Sequence, residues 1–141
     1  MIALFTPAKC LLLHGAIILL FGLMLGAPYA KAIKGHAPAH IVNSWRVAHA
    51  SLPMGALMML VFALALPHLA AAAWLNWVIA GSLIMSGYGF CIALPLAAMK
   101  GERGLQSSAG WGQVVYVGNI VGAAGSLVSS AGFLVAVGLG F

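Results

Sequence analysis

Residues 72–98 read AAWLNWVIAGSLIMSGYGFCIALPLAA, a stretch without a single charged residue. An α-helix of this length, at about 1.5 Å per residue, exceeds the roughly 30 Å of hydrocarbon in a bilayer. Apolar blocks of comparable length occupy about residues 9–30, 44–66 and 112–139. None of the four blocks alternates with the period of two that is typical of barrel strands. The sequence predicts an all-α integral membrane protein, a four-helix transmembrane bundle with residues 1–141 as one domain.

The composition excludes a soluble domain. Charged residues make up 5% of the chain and hydrophobic residues 64%, and the mean hydropathy is +1.12. A soluble domain has about a quarter charged residues. The net charge of +5 comes from basic residues scattered at the ends of the spans, which form no continuous basic face. We therefore expect the lipid bilayer as the surroundings and no nucleic-acid partner.

Basic residues are concentrated in two of the three connections. Lys31, Lys34 and Arg46 flank the first connection, and Lys100 and Arg103 flank the third. Cytoplasmic loops carry the excess of lysine and arginine in membrane proteins. The pattern predicts that these two loops are cytoplasmic and that both termini lie on the outer, periplasmic side.

The chain has one acidic residue, Glu102, and it lies in the third connection. Hydrolysis by paired carboxylates needs two acids, and a serine hydrolase needs a base with an acid to orient it. A proton relay through membrane carboxylates needs acids within the spans. The sequence excludes all three mechanisms.

Histidine is the ionisable residue that remains inside the spans, at His14 and His49. Such a residue is a functional-site hypothesis by default. The competing interpretation is a neutral histidine hydrogen-bonded to a neighbouring helix. We favour that interpretation for His14 and a ligand role for His49.

The neighbours of His49 decide that preference. Trp45, Arg46 and His49 share one face of the predicted helix, at spacings of three and four residues. His49 would lie about one turn below the interface, where its imidazole could ligate iron. Arg46, nearer to water, could pair with a haem propionate. An interfacial Trp–Arg pair beside a packed histidine is the alternative.

The predicted depths of the two histidines bear on the coordination of such an iron. His14 and His49 should differ in depth by well over 10 Å, so one haem cannot bind both within a subunit. The iron would keep an open position unless His36 or His40 fills it. An open position suits Lewis-acid chemistry, whereas two histidine ligands suit electron transfer.

Small residues recur in the fourth span. One stripe repeats every four residues and a second runs beside it: Gly118, Gly122, Ser126 and Ser130, then Gly125, Ser129 and Gly132. Small-xxx-small faces allow helices to approach closely. Because four helices have a limited interior, two stripes on one helix favour a homo-oligomer over packing within the chain alone.

Five short motifs follow one another along the chain. They are His14-Gly15, residues 45–49 (WRVAH), Pro67, residues 86–90 (SGYGF) and residues 103–105 (RGL). Their order and spacing resemble the styrene oxide isomerases, small bacterial membrane enzymes, and more faintly the hydroxylaminobenzene mutases. The resemblance covers most of the chain.

The resemblance implies an oligomeric state, a cofactor and a reaction. Styrene oxide isomerases are trimeric and bind haem b through the histidine that matches His49, so the resemblance makes His49 the iron ligand and Arg46 a propionate partner. Ferric iron polarises the epoxide oxygen, and a 1,2-shift gives an aldehyde without net redox change. The expected substrate is a small apolar aromatic epoxide, and the expected location is the bacterial inner membrane.

Two pocket positions depart from the family. A second-helix asparagine is absent around Gly55, and Cys91 stands where the family has a tyrosine. Tyr88, Tyr116 and Asn119 are the polar candidates that remain to contact the substrate. Because the loss of a hydrogen-bonding partner changes substrate choice, the resemblance supports the haem more than the substrate.

Three alternatives remain open. One is a mutase-type rearrangement of an N-hydroxyarylamine. Another is a non-catalytic haem protein for electron transfer or gas sensing. The last is a packing subunit of a larger membrane complex, with histidines that only pack.

Overall fold

The computed structural model describes residues 6–101 and 109–139, and the described residues contain helices and no strands. The five helices are α1 (Pro7–Met24), α2 (Gly26–Lys34), α3 (Ala39–Ala65), α4 (Ala73–Lys100) and α5 (Trp111–Gly138), and a short 3₁₀ turn (Leu66–His68) follows α3. Most of the third connection, including Glu102 and Arg103, lies outside the described residues.

Four segments of the structure are long and apolar enough to cross a membrane. They are Pro7–Lys34, formed by α1 and α2 together, then Ala39–His68, Ala73–Lys100 and Trp111–Gly138. The predicted fold class, an all-α bundle with four membrane spans, is confirmed. Leucines on the outside of α5, among them Leu127 and Leu134, are more than 70% exposed. Such a surface suits contact with lipid tails rather than water.

The helices run further than the apolar blocks. The sequence predicts a first connection at residues 31–43, but α2 continues to Lys34 and α3 begins at Ala39. The charged and polar residues there end the hydrocarbon-compatible part of each span without ending the helix. Gly35 follows α2 and Pro38 precedes α3, and these two residues bound a short connection.

The first span is interrupted at Leu25. Helix α1 ends at Met24, and α2 begins at Gly26. Pro28 is the physical reason, because proline has no amide hydrogen for the carbonyl four residues earlier and its ring clashes with that carbonyl. At the interruption the Leu25 amide still donates to the Phe21 carbonyl at 3.3 Å, whereas Pro28 has no amide hydrogen for the Met24 carbonyl.

Helices α1, α3 and α4 share the core, and α5 packs mainly on α4. The largest fully buried core side chains are Leu11, Ile18, Leu52, Met59, Ile79 and Val115. Near one end of the bundle, Phe62 of α3 stacks on Phe133 of α5 with ring centroids 3.9 Å apart.

The small-residue stripes of α5 are used within the chain. A Cβ placed on Gly118 would lie 2.9 Å from the carbonyl oxygen of Gly89 on α4. The Ser129 hydroxyl donates to the carbonyl of Ile79 at 2.9 Å, and the Ser86 hydroxyl donates to that of Gly122 at 2.6 Å. Packing against α4 accounts for five of the small residues, Gly118, Gly122, Gly125, Ser129 and Gly132. Ser126 donates to the carbonyl of Ala123 on its own helix and Ser130 is exposed, so the homo-oligomer stays a prediction.

Candidate functional site

His49 has a defined ring orientation. Its Nδ1 lies 3.0 Å from the carbonyl oxygen of Gly22 on α1. A carbonyl oxygen can only accept, so Nδ1 carries the proton and donates. In the neutral ring Nε2 is then unprotonated and has a lone pair available for a metal. This is the tautomer that metal-binding histidines commonly adopt, with the second nitrogen donating to a carbonyl or carboxylate.

Two glycines make room for His49 and its helix. A Cβ on Gly22 would lie 2.6 Å from Cδ of Pro53 and 2.9 Å from Cβ of Leu52. A Cβ on Gly26 would lie 3.1 Å from Cε1 of the His49 ring. Because neither position has a side chain, α3 approaches the interruption between α1 and α2 closely. The Gly22 carbonyl, in the last turn of α1, faces the His49 ring.

A second aromatic ring lies beside His49. The rings of Tyr29 on α2 and His49 have centroids 6.2 Å apart at a tilt of 33°. Both side chains are half-buried. The His49 ring is therefore bounded by α1 and α2 and is partly open to the surroundings.

Arg46 lies one turn nearer to the start of α3 than His49 and is exposed. Its guanidinium donates to the side-chain oxygen of Asn43. Trp45, on the same side of the helix, is half-buried and packs against the core. Arg46 is thus held near the helix end with donors left for an anionic group, since a guanidinium has five.

The described residues could hold a haem through His49 and Arg46. Among them, no three histidine, cysteine, aspartate or glutamate side chains come together as a ligand cluster. His49 could supply one ligand, which suits an iron that a porphyrin already coordinates. The tautomer of His49 and the exposed Arg46 agree with this donor set.

His14 pairs with Tyr88. Its Nδ1 lies 2.8 Å from the Tyr88 hydroxyl oxygen, and the rings meet edge to face with centroids 5.6 Å apart. This contact joins α1 to α4. The preferred interpretation of His14, a neutral histidine bonded to a neighbouring helix, agrees with the structure.

The two histidines lie at different depths. Gly15, next to His14, is at the level of Leu60 and Met59 on α3, whereas Gly26 is at the level of His49. Leu60 is eleven residues beyond His49, or about 16 Å along the helix. The separation of His14 and His49 therefore agrees with the sequence-based expectation, and Tyr88 belongs to the His14 level.

The other two polar candidates lie on α5. Tyr116 and Asn119 are half-buried there, on a helix that packs mainly against α4, whereas His49 packs against α1 and α2. The structure thus brings Tyr88 and His14 together. It places Tyr116 and Asn119 on α5, in a different part of the bundle from His49.

Residues of α4 line a larger and a smaller cavity near the candidate residues. One, of about 570 Å³, is an open groove between α4 and α5 that Tyr88 lines. The other, of about 300 Å³, lies between α3 and α4 and is lined by Ser51, Gly55 and Phe90, among others. Ser51 is two residues from His49, or about 200° around α3, so this cavity and His49 lie on opposite faces of the helix.

Gly55, the position where the resembling family has asparagine, opens into the smaller cavity. A Cβ built there meets no atom within 4 Å. Cys91 is half-buried with a free thiol. These two positions provide space and a small side chain where the resemblance implies polar groups.

Sequence reasoning missed the partners of the histidines. Pro28 was the available signal for the interruption between α1 and α2, which lies next to the Gly22 carbonyl. For His14, the signal was the presence of a single phenol on the third span, because a polar group in hydrocarbon needs a partner on another helix. Tyr29 beside His49 had no signal in the sequence pattern.

Comparison with known families adds one finding. The family model described as styrene oxide isomerase matches residues 7–138, nearly the whole chain. Searches of curated proteins and of solved structures found no significant match.

Proposed function

This chain belongs to the styrene oxide isomerase family, and from that premise we propose that it is a haem-dependent membrane isomerase. Its substrate is a small aromatic epoxide, which it rearranges to an aldehyde. His49 would bind the iron and Arg46 would pair with a haem propionate. The observation that carries the proposal is the hydrogen bond from His49 Nδ1 to the Gly22 carbonyl, which leaves Nε2 for iron.

Ferric haem, when bound, supplies a Lewis acid that draws electron density from the epoxide oxygen. The chain itself supplies the ligand, its orientation and an apolar surrounding. No carboxylate lies within the membrane spans, since Glu102 is the only acidic residue. An isomerisation by oxygen polarisation suits this composition because it neither adds nor removes atoms and requires no buried acid.

The bilayer suits the proposed substrate class. Aromatic epoxides dissolve in hydrocarbon, and the spans expose an apolar surface over most of their length. Water, which would open the epoxide to a diol, is scarce there. Tyr88, Tyr116 and Asn119 stay proposed substrate contacts, and Tyr88 lines the groove between α4 and α5.

The absorption spectrum of the purified protein tests this proposal. We expect a Soret band in the wild type, its loss in His49→Ala, and its retention in His14→Ala. The matched control is informative because both substitutions remove a half-buried span histidine. A high-spin ferric spectrum then leads to assays with styrene oxide and with an N-hydroxyarylamine.

Other outcomes would contradict the assignment. A Soret band that survives in His49→Ala would exclude His49 as the ligand. A six-coordinate spectrum would favour an electron-transfer or sensing protein. A colourless wild type that fails to bind added haem would leave the packing subunit as the better account.

A further inference from the structure

One end of the bundle carries most of the positive charge of the chain. By sequence, the first and third connections hold or flank five of the six lysines and arginines: Lys31, Lys34, Arg46, Lys100 and Arg103. The sixth, Lys9, is near the start of the first span, at the opposite end. Glu102, the only acid of the chain, can neutralise one of the five. The others require counter-ions from outside the chain.

Lys34 lies at the level of Ile41 on α3. Gly26 of the first span faces the His49 ring, since a Cβ there would lie 3.1 Å from Cε1. Lys34 is eight residues after Gly26. Ile41 is eight residues before His49 on the antiparallel helix. Both therefore lie about 12 Å beyond that contact, towards the first connection. Lys31 is three residues earlier, or about 4.5 Å deeper.

The end of α4 lies at the same level. A Cβ on Gly101 would lie 3.4 Å from Cδ1 of Ile41, and Lys100 is the residue before Gly101. Lys31, Lys34 and Lys100 therefore lie within about one helical turn of each other in depth. All three are exposed, and together they form what we call the basic rim.

The basic rim lies at the level of lipid headgroups. Lys9 and Lys34 are 25 residues apart along the first span, or about 37 Å. A bilayer has about 30 Å of hydrocarbon within a total thickness of roughly 40–45 Å. The two lysines therefore lie in the headgroup layers on opposite sides. Trp111 at the start of α5 is 58% exposed, as suits a tryptophan at the membrane interface.

Lys100 is oriented without being neutralised. Its Nζ lies 5.6 Å from the centroid of the Trp111 ring. The face of an aromatic ring attracts an ammonium group but carries no net charge. The side chain is thus held beside α5 while its positive charge remains available to an anion.

We propose that the basic rim is a binding surface for anionic membrane lipids, whose phosphate oxygens accept hydrogen bonds from its ammonium groups. Clusters of basic residues at the end of a span attract anionic lipids, and a lipid phosphate is already at the depth of the rim. A soluble anion would have to enter the headgroup layer. Arg46, the proposed propionate partner, is about 7 Å deeper than Ile41 and is not part of the rim. The inference is therefore independent of haem and of the proposed function.

Two single-tryptophan proteins compare the ends of the bundle. One keeps Trp111 at the basic rim and the other keeps Trp74 at the start of α4, with the other tryptophans replaced by phenylalanine. The two reporters are 58% and 68% exposed. Quenching by brominated phosphatidylglycerol is compared with quenching by brominated phosphatidylcholine in phosphatidylcholine bilayers. We expect phosphatidylglycerol to bind about fivefold more strongly at Trp111, the effect of about one nearby lysine. The preference at Trp74 should be less than about twofold.

Charge variants and salt test the cause of that preference. In the Trp111 protein, Lys100→Gln should lower the preference to about twofold or less, because it removes the lysine beside the reporter. Lys9→Gln is the matched control and should leave the preference unchanged. Raising the salt from about 0.15 M to about 1 M shortens the Debye length from about 8 Å to about 3 Å and should also reduce it.

Native mass spectrometry of the full chain, released from nanodiscs of mixed phosphatidylglycerol and phosphatidylcholine, makes the result independent of the tryptophan substitutions. We expect an excess of retained phosphatidylglycerol, and its loss in the triple variant Lys31→Gln, Lys34→Gln and Lys100→Gln. Equal retention of both lipids by the wild type, or an unchanged excess in the triple variant, would overturn the proposal. So would equal preferences at the two reporters. Loss of the Trp111 preference on adding inorganic phosphate at matched ionic strength would indicate a site for soluble anions and would overturn the lipid assignment.

Discussion

His49 and His14 are both half-buried histidines within the membrane spans, yet their rings are held differently. His49 donates to a backbone carbonyl, which fixes one tautomer and leaves Nε2 for a metal. His14 faces a phenol, which can donate or accept, so either tautomer is satisfied. The comparison teaches that the partner of a membrane histidine, rather than its burial, decides what the ring can do.

The largest expected effect tests how His49 is held. Gly26→Val places a branched side chain against the ring, because a Cβ there already lies 3.1 Å from Cε1 of His49. We expect haem affinity to fall about 10- to 100-fold, as when the outer partners of other metal ligands are changed. The measurement is a haem titration followed at the Soret band.

Gly81→Val is the matched control for that substitution. Gly81 is on α4, and a Cβ there meets no atom within 4 Å. It should leave haem affinity unchanged while adding the same β-branched residue to a span. Equal affinities of the two variants would show that the close approach of Gly26 to His49 does not orient the ligand.

An intermediate effect is expected from Arg46→Ala. The guanidinium is exposed, and exposed ion pairs contribute about 1 kcal/mol or less. Loss of its pairing with a propionate should therefore weaken haem binding about two- to fivefold in the same titration. Lys34→Ala removes an exposed base near the same end of the bundle and should have no such effect. A similar weakening in both variants would indicate a general charge effect instead.

The smallest expected effect concerns the His14–Tyr88 pair. A double-mutant cycle with His14→Ala and Tyr88→Phe should give a coupling free energy of about 0.6 kcal/mol, the average for hydrogen bonds between membrane helices. Reversible unfolding in mixed micelles measures it. The cycle of His49→Ala with Tyr88→Phe should be additive because the two residues do not share a level. Additivity in the first cycle would contradict the hydrogen bond.

Much of the candidate site could be predicted from residue type and spacing. The rest depends on how the helices are arranged relative to one another. The tyrosine singled out for the substrate pocket, Tyr88, lines a cavity, but at the level of His14 rather than His49. Local periodicity groups residues on one helix, as it does for Arg46 and His49. It gives no information on which faces of different helices meet, because that depends on close approach at positions such as Gly22.

The sequence by itself determined that the chain crosses the membrane four times as helices. The reason is that apolar length and the absence of charge are local properties, and backbone groups in lipid must be satisfied within the helix. It also excluded carboxylate chemistry within the spans, since the one acidic residue, Glu102, lies in a connection.

Only the tertiary structure decided which atoms the two histidines meet. His14 and Tyr88 are 74 residues apart in the chain, and His49 and Gly22 are 27 apart. The His49 contact depends on the close approach of α3 to Gly22 and Gly26, and the His14 contact depends on the packing of α1 against α4. The unprotonated Nε2 of His49 and the groove that Tyr88 lines are therefore consequences of packing, because each depends on contacts between separate spans.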